Sequence, residues 1–275
     1  MNNNIYLSII TLSKNDNKKF SRTMVSIFSQ NNITNIEWLI IDGSNEEIQK
    51  SKIKLIKNIS NNYDKKNILI RHINSDKKGI YGIYPCMNYG KKISNGGFLI
   101  FLNSGDEFFS NYSLKILLKN SYKLHDYKCL IFGQANIIAP QNINWFFPGK
   151  RLKNIGLWLK FFEPNHQAMM ISKKLAESYD FSLKHSLISD GNWKRKIINS
   201  ANQIIYINDP IVKFYLDGAS STKPSKKLFL EIIKNKNISF IRKLIFLVKY
   251  YIPTDFFIFY HLMQKYKCIF INLIF

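Results

Sequence analysis

Cysteine is scarce: three residues (Cys86, Cys129, Cys268), odd in number, widely separated and without metal-type spacing. A disulfide framework and a cysteine-based zinc site are both excluded on that pattern. No stretch supplies the eighteen or so uninterrupted apolar residues that a membrane-spanning helix needs. Residues 244–263 come closest and are broken by Lys249, Pro253, Asp255 and His261. The opening Met1-Asn2-Asn3-Asn4 has no basic segment followed by an apolar one, so no secretory leader is expected and the chain reads as cytoplasmic. Acidic residues are few, with Asp+Glu 18 against Lys+Arg 40 and a formal net charge of +22. Such a field favours anionic partners. Arginine, the usual bidentate reader of bases, is rare among these cations, which disfavours sequence-specific nucleic-acid binding.

What is present is a sizeable core. A hydrophobic share of 46% over 275 residues suits a large α/β domain with an appendage. Apolar runs at 5–12, 36–41, 68–70 and 98–102 read as strands. Between them, Phe20, Met24, Ile27 and Phe28, then Ile48, Lys52, Leu55, Ile56 and Ile59, then residues 85–94 carry helical spacing. This β-α-β-α-β-α-β order predicts a mostly parallel sheet covered by helices. Each strand ends in a polar loop (11–17, 42–45, 74–79, 103–106), and in an open α/β sheet ligands bind at the carboxyl ends of strands. The last loop, Asn103-Ser104-Gly105-Asp106, follows the run Phe98–Leu102 and ends in a carboxylate able to hold a hard divalent cation, although a plain turn is the alternative.

Further along, residues 111–122 read as a helix, 129–138 as a long strand and 168–171 as a short one. Helices are expected at 173–178 and from Ser189, read as an N-cap. Two short strands follow, at 203–207 and 211–215. Trp145, Phe146, Phe147 and Trp158 read as core rather than as a sugar-stacking platform. From Lys226 the chain turns basic and apolar, with helices expected around 240–249 and over 256–266 and Pro253 between them. The domain reading is 1–225, divided at 109/110, with an extension at 226–275 that lies on an anionic membrane surface or packs as a helix on the domain.

Several motifs in order resemble a family 2 glycosyltransferase of the GT-A fold, near the bacterial polysaccharide-synthesis branch. They are Ser8-Ile9-Ile10-Thr11 with Arg22-Thr23 and Ser26 to Gln30; Trp38-Leu39-Ile40-Ile41-Asp42-Gly43-Ser44; Gly82-Ile83-Tyr84-Pro85-Cys86-Met87-Asn88-Tyr89-Gly90; Phe101 to Asp106; Asn165-His166-Gln167 with Asp190; and Gly218-Ala219-Ser220. The resemblance spans roughly residues 5–222. It implies a nucleotide-diphosphate sugar as donor and a saccharide acceptor, on a polyprenyl diphosphate, in the synthesis of a surface polysaccharide such as capsule, O-antigen or exopolysaccharide.

By the same resemblance Thr11 and Ser13, through their backbone groups, with Asp42, Gly43, Ser44, Asp76, Asn88 and Ser104 would line the nucleotide sugar. Asp106 would hold Mg²⁺ or Mn²⁺, and His166 and Gln167 would stand on the acceptor side. Asp190, expected to be exposed and ionised at neutral pH, would be the base that deprotonates the acceptor hydroxyl, with inversion at the anomeric carbon.

The chain departs from the family pattern in three places. Gly105 stands where a second carboxylate is common, Ile80 and Tyr81 stand where an acidic residue often precedes the G-I-Y segment, and Asp217 stands where a second glycine is common. Plainer roles remain for single residues: Asp190 as a partner of its helix dipole, Asp42 as a loop residue, His166 as an interior histidine bonded to backbone, Asn88 as a packing residue. The competing functions are a nucleotidyltransferase, disfavoured because residues 11–17 lack the glycines of a triphosphate loop; a nucleic-acid-binding protein; and an inactive nucleotide-sugar binder.

Overall fold

A computed structural model describes residues 6–217 except 32, 63–67, 123, 125–127, 150–151 and 184–188, then scattered positions between 229 and 251, and residues 257–274. Its first half alternates strand and helix: β1 (Leu7–Ser13), α1 (Asn17–Phe28), β2 (Ile36–Asp42), α2 (Glu46–Asn62), β3 (Ile68–Asn74), α3 (Ile83–Ile93) and β4 (Phe98–Phe101). The second half comprises β5 (Glu107–Phe108), α4 (Ser113–Ser121), β6 (Cys129–Ile138), β7 (Asn144–Phe147), α5 (Ile155–Phe161), β8 (Met169–Ser172), α6 (Lys173–Glu177), α7 (Ser189–Ser200) and β9 (Gln203–Tyr215). One further helix, α8, covers Phe257–Ile274.

All nine strands form one sheet in the order β3-β2-β1-β4-β8-β6-β9-β5, with β7 on the flank of β6. The β3-β2-β1-β4 half is wholly parallel, as expected, and β6 and β9 also pair in parallel. Antiparallel pairings join β8 to β4 and β6, β7 to β6, and β5 to β9.

Alternation along the strands divides the core in two. Ile9, Trp38 and Ile40 face a cluster with Phe20, Met24 and Ile27 of α1. Ile10, Leu39 and Ile41 face the other side with Met87, Phe101, Phe181 and Trp193. Burial on both faces is what makes β4 an unbroken apolar run and β1 and β2 nearly so, with only Ser8, Thr11 and Glu37 interrupting them before their last residues. Trp38 is fully buried, stacked on Phe20 at 5.7 Å and edge-on to Phe28 at 6.0 Å.

Two expectations differ from the fold. The segments 203–207 and 211–215 are one strand, because the polar Asn208-Asp209-Pro210 stretch is carried through an irregularity in the β6 pairing, with Pro210 opposite Gln134. A proline without an N–H is tolerated at such a bulge. The two-residue strand β5 was not expected, being too short to show a period. The helix expected over 256–266 extends to Ile274, while the one around 240–249 lies outside the described residues. Trp145 and Trp158 are core, as expected, and α8 buries Cys268 in the cluster that holds Trp145 of β7. No helix among the described residues is long and apolar enough to cross a membrane.

The glycine pair before β4 sets how closely the chain crosses β1. A Cβ on Gly96 would fall 2.4 Å from the Ser8 backbone nitrogen, whereas one on Gly97 would meet only the Tyr6 carbonyl at 3.7 Å. Gly96→Ala is therefore expected to destabilise by about 3 kcal/mol or more and Gly97→Ala by about 1 kcal/mol or less, read from denaturant midpoints. Equal midpoints would contradict this packing.

Candidate active site

Strand β4 delivers its chain to the turn Asn103–Asp106 at the carboxyl edge of the parallel strands. The Asp106 N–H donates to the Asn103 carbonyl at 3.0 Å, and Gly105 takes a φ of +107°, open to glycine without strain. Thr23 of α1 clasps the turn: its hydroxyl accepts from Gly105 N–H at 2.9 Å and donates to the Asp106 carbonyl at 2.7 Å. The Asp106 carboxylate is 6% exposed. Oδ1 accepts the Tyr215 N–H at 2.8 Å and Oδ2 accepts the Gln167 side-chain amide. Burial pushes its pKa up to about 7 against the pull of Tyr215, Gln167 and His166, and the charge of Asp217 adds to the push.

Gln167 and His166 join this turn to Asp190. The fully buried Gln167 side chain accepts the Asn103 N–H at 2.9 Å through Oε1 while its amide reaches Asp106. Asn165 caps the short helical turn that presents both residues, accepting the Gln167 N–H at 2.9 Å. His166 points the other way, with Nδ1 3.4 Å from Asp190 Oδ1. His166 acts to lower the pKa of both Asp106 and Asp190. Gln167, expected on the acceptor side, is thus bonded to the proposed metal residue.

Asp190 lies in the first turn of α7 but is not the freely exposed carboxylate expected. Lys194, one turn on, places Nζ 3.2 Å from Oδ2, and 29% of the aspartate side chain is exposed. Burial acts to raise its pKa, but Lys194 and His166 outweigh it and hold the carboxyl well below the usual range. Tyr84 of the G-I-Y segment lies against Asp190. Burial, then that neighbouring charge, raises the Tyr84 pKa to about 12. Ser189, read as an N-cap, is instead the first helical residue, and its buried hydroxyl has no hydrogen-bond partner among the described residues.

The nucleotide-side expectations need correction. Lys52 is fully buried, and its ammonium donates to Ser13 Oγ at 2.7 Å, Ser44 Oγ at 2.7 Å and Asp42 Oδ1 at 3.0 Å. Asp42 Oδ1 also accepts Ser44 N–H and Oγ–H, and Oδ2 meets His72 Nε2 at 3.0 Å. Burial would raise the Asp42 pKa, but bonds from His72, Ser44 and Lys52 lower it. A buried ammonium needs such acceptors, so the side chains of Asp42, Ser13 and Ser44 face inward. The Thr11 side chain is likewise internal, accepting from Trp38 Nε1 at 2.9 Å and donating to the Leu102 carbonyl at 2.8 Å, which concerns its hydroxyl and not the backbone groups expected at the nucleotide.

Asn88 clamps the Phe181 backbone through both amide atoms, at 2.9 Å each, and plays the packing role. Asp76 is exposed beside Gly43, where an added Cβ would stand 3.6 Å from its Oδ1. Ser104 Oγ is buried and has no hydrogen-bond partner among the described residues. Gly218-Ala219-Ser220 lies outside them. Lys52, Lys194, Tyr84 and Tyr215 were not anticipated at the site, although Lys52 falls on the apolar stripe of α2, four residues after Ile48.

No family model and no curated protein sequence matches this chain. Solved structures do. Residues 1–349 of TarS from S. aureus, in complex with UDP-GlcNAc, superpose with a TM-score of 0.61 at 14% identity, covering 89% of this chain and 71% of that one. The same TarS segment without ligand gives 0.58 at 16% identity, covering 89% and 70%. The mannosyltransferase PcManGT from Pyrobaculum calidifontis, in complex with GDP-Man and Mn²⁺, gives 0.52 at 12% identity, covering 89% and 62%. The fold is GT-A-like.

A divalent cation such as the Mn²⁺ of the PcManGT complex takes oxygen ligands. Among the described residues no three His, Cys, Asp or Glu side chains gather for one. The Asn103–Asp106 turn still fits, because it offers one carboxylate together with Asn103 Oδ1 and Ser104 Oγ, both buried and without hydrogen-bond partners among the described residues. Hard oxygen donors suit Mg²⁺ or Mn²⁺. Without a cation, the raised pKa of Asp106 carries a stability cost. The folded state keeps this proton from pH about 4 to about 7 while the unfolded state releases it, so stability falls as pH rises through that window. In EDTA, the Tm of the wild type is expected to fall more steeply between pH 5 and 8 than that of Asp106→Asn; parallel profiles would contradict the burial of this carboxylate.

Proposed function

We propose that the chain is a glycosyltransferase that moves a sugar from a nucleotide-diphosphate sugar to an acceptor hydroxyl. The observation that carries this reading is the His166-Gln167 bridge, which sets Asp106 and Asp190 on either side of one short segment in a GT-A-like sheet. The solved neighbours, whose complexes hold UDP-GlcNAc and GDP-Man, support a nucleotide sugar as the donor.

Each residue has a distinct task. Asp106, with Asn103 Oδ1 and Ser104 Oγ, would hold a Mg²⁺ or Mn²⁺, which when bound would supply positive charge toward the departing diphosphate. Tyr215 N–H and the Gln167 amide fix the orientation of the Asp106 carboxylate. Asp190, ionised throughout the neutral range, accepts the proton of the attacking hydroxyl, while Lys194 and His166 hold its oxygens in place. Attack by the hydroxyl in line with the leaving diphosphate would invert the anomeric centre. At the nucleoside end, the exposed Asp76 takes the contact first assigned to Asp42, whose oxygens already have partners.

The finer assignment follows the motif resemblance: synthesis of a cell-surface polysaccharide on a polyprenyl-diphosphate-linked saccharide, at the inner face of the plasma membrane. Met263, Tyr266 and Ile269 of α8 are exposed beside Lys265 and Lys267 and suit contact with an anionic leaflet, while His261, Cys268 and Ile271 are buried.

A thermal-shift screen of UDP- and GDP-sugars with Mn²⁺ is the test. A donor at about 100 times its Kd should stabilise the fold by about 2.7 kcal/mol. Asp190→Asn should keep that shift while losing turnover by about 10²-fold or more. No shift with any donor, or full turnover in Asp190→Asn, would overturn the proposal.

A further inference from the structure

Beside the Asn103–Asp106 turn stands a charged cluster with no part in the proton transfer above. Lys19 and Arg22, three residues apart on α1, lean over Gly105: a Cβ there would stand 3.4 Å from both Lys19 Cδ and Arg22 Nη2. The Arg22 guanidinium stacks on the Tyr215 ring at 3.6 Å, and the Tyr215 N–H is the group that binds Asp106. Both cations are answered by one carboxylate. Asp217 Oδ2 lies 3.4 Å from Lys19 Nζ and 3.5 Å from Arg22 Nη2, and the Asp217 carbonyl accepts from Lys19 Nζ at 2.9 Å.

The two anions of the cluster are held differently. Glu107 is fastened by the Tyr215 hydroxyl at 2.5 Å, with Lys213 Nζ at 3.7 Å and Arg22 Nε at 3.9 Å, and only 19% of its side chain is exposed. Asp217 is 47% exposed and meets its two cations only at long range. Exposed pairs of that kind are weak and screened by salt. A diphosphate brings more charge and more acceptor oxygens than one carboxylate and suits the fork of a guanidinium better.

We propose that Lys19 and Arg22 form a binding wall for the donor's diphosphate and that the Asp217 carboxylate occupies it in the donor-free protein, to be displaced when the diphosphate arrives. This rests on the nucleotide-sugar reading and adds residues that reading does not use. Two cations at this turn also supply positive charge where the sequence has Gly105 in place of a second metal-binding carboxylate.

Opposite signs test it. Calorimetric titration of the full chain with inorganic pyrophosphate, in EDTA and again with Mg²⁺, should show binding that weakens as salt rises. Lys19→Met and Arg22→Met, which keep an apolar stem, should each weaken it by about threefold to tenfold, and Asp217→Asn should tighten it by a similar factor. The half-exposed Asp217 allows substitution without loss of the fold, checked by an unchanged Tm. Unchanged or weaker binding in Asp217→Asn overturns the proposal, as does wild-type protein that ignores pyrophosphate. The transferase reading is judged separately: a protein with these opposite shifts that binds no nucleotide sugar contradicts that reading alone.

Discussion

The side chain of Gln167 is the contact on which the site depends. One amide, fully buried, satisfies the main chain of Asn103 with its oxygen and the carboxylate of Asp106 with its nitrogen. It thereby fixes the turn after β4 to the segment before β8, and the adjacent His166 carries the link on to Asp190. A planar amide can serve both partners at once only in one orientation. Replacing it with a carboxylate would set two anions together, and an apolar side chain would strand a buried carboxylate and a buried N–H, each of which is costly. On the proposed reading, one residue that takes no part in the chemistry would hold the leaving-group side and the base side in register.

A second buried network supports the other end of the cleft. The ammonium of Lys52 draws the loops after β1 and β2 together through Ser13, Asp42 and Ser44, and His72 closes the set from β3. Three adjacent strand ends therefore share one polar centre beneath the surface that a nucleoside would touch. The result is rigidity rather than direct recognition. On the proposed reading, side chains that point inward cannot select a base, and selection would fall to exposed groups such as Asp76.

The fold was legible because its strands are buried on both faces and its helices are amphipathic. The runs at 36–41 and 98–102 and the spacing of Phe20, Met24, Ile27 and Phe28 have no competing explanation. Where the reading failed, the determinant was tertiary. Nothing local distinguishes Asn208-Asp209-Pro210 from a turn until β6 is present to absorb it as a bulge. The convergence of Asp106, His166, Gln167 and Asp190 rested on motif resemblance, since they stand up to 84 residues apart in a 275-residue chain. The inward turn of Asp42 was hidden because its partner lies on another element. Its one local trace was a lysine on an apolar stripe, ordinarily read as an exposed edge. Tyr215 was invisible in principle, because it acts on Asp106 through its backbone N–H and any residue but proline could do so.

The central claim is that the donor's diphosphate rests at the Asn103–Asp106 turn with the acceptor face toward Asp190. The most direct measurement is a crystal structure with a nucleoside diphosphate and Mn²⁺, in which anomalous scattering locates the metal. The account predicts a manganese peak bonded to Asp106 and bridging to diphosphate oxygens, with Asp190 across the His166-Gln167 segment from it. A diphosphate ordered elsewhere on the sheet, or a manganese site that leaves Asp106 bonded only to Gln167 and Tyr215, would contradict it.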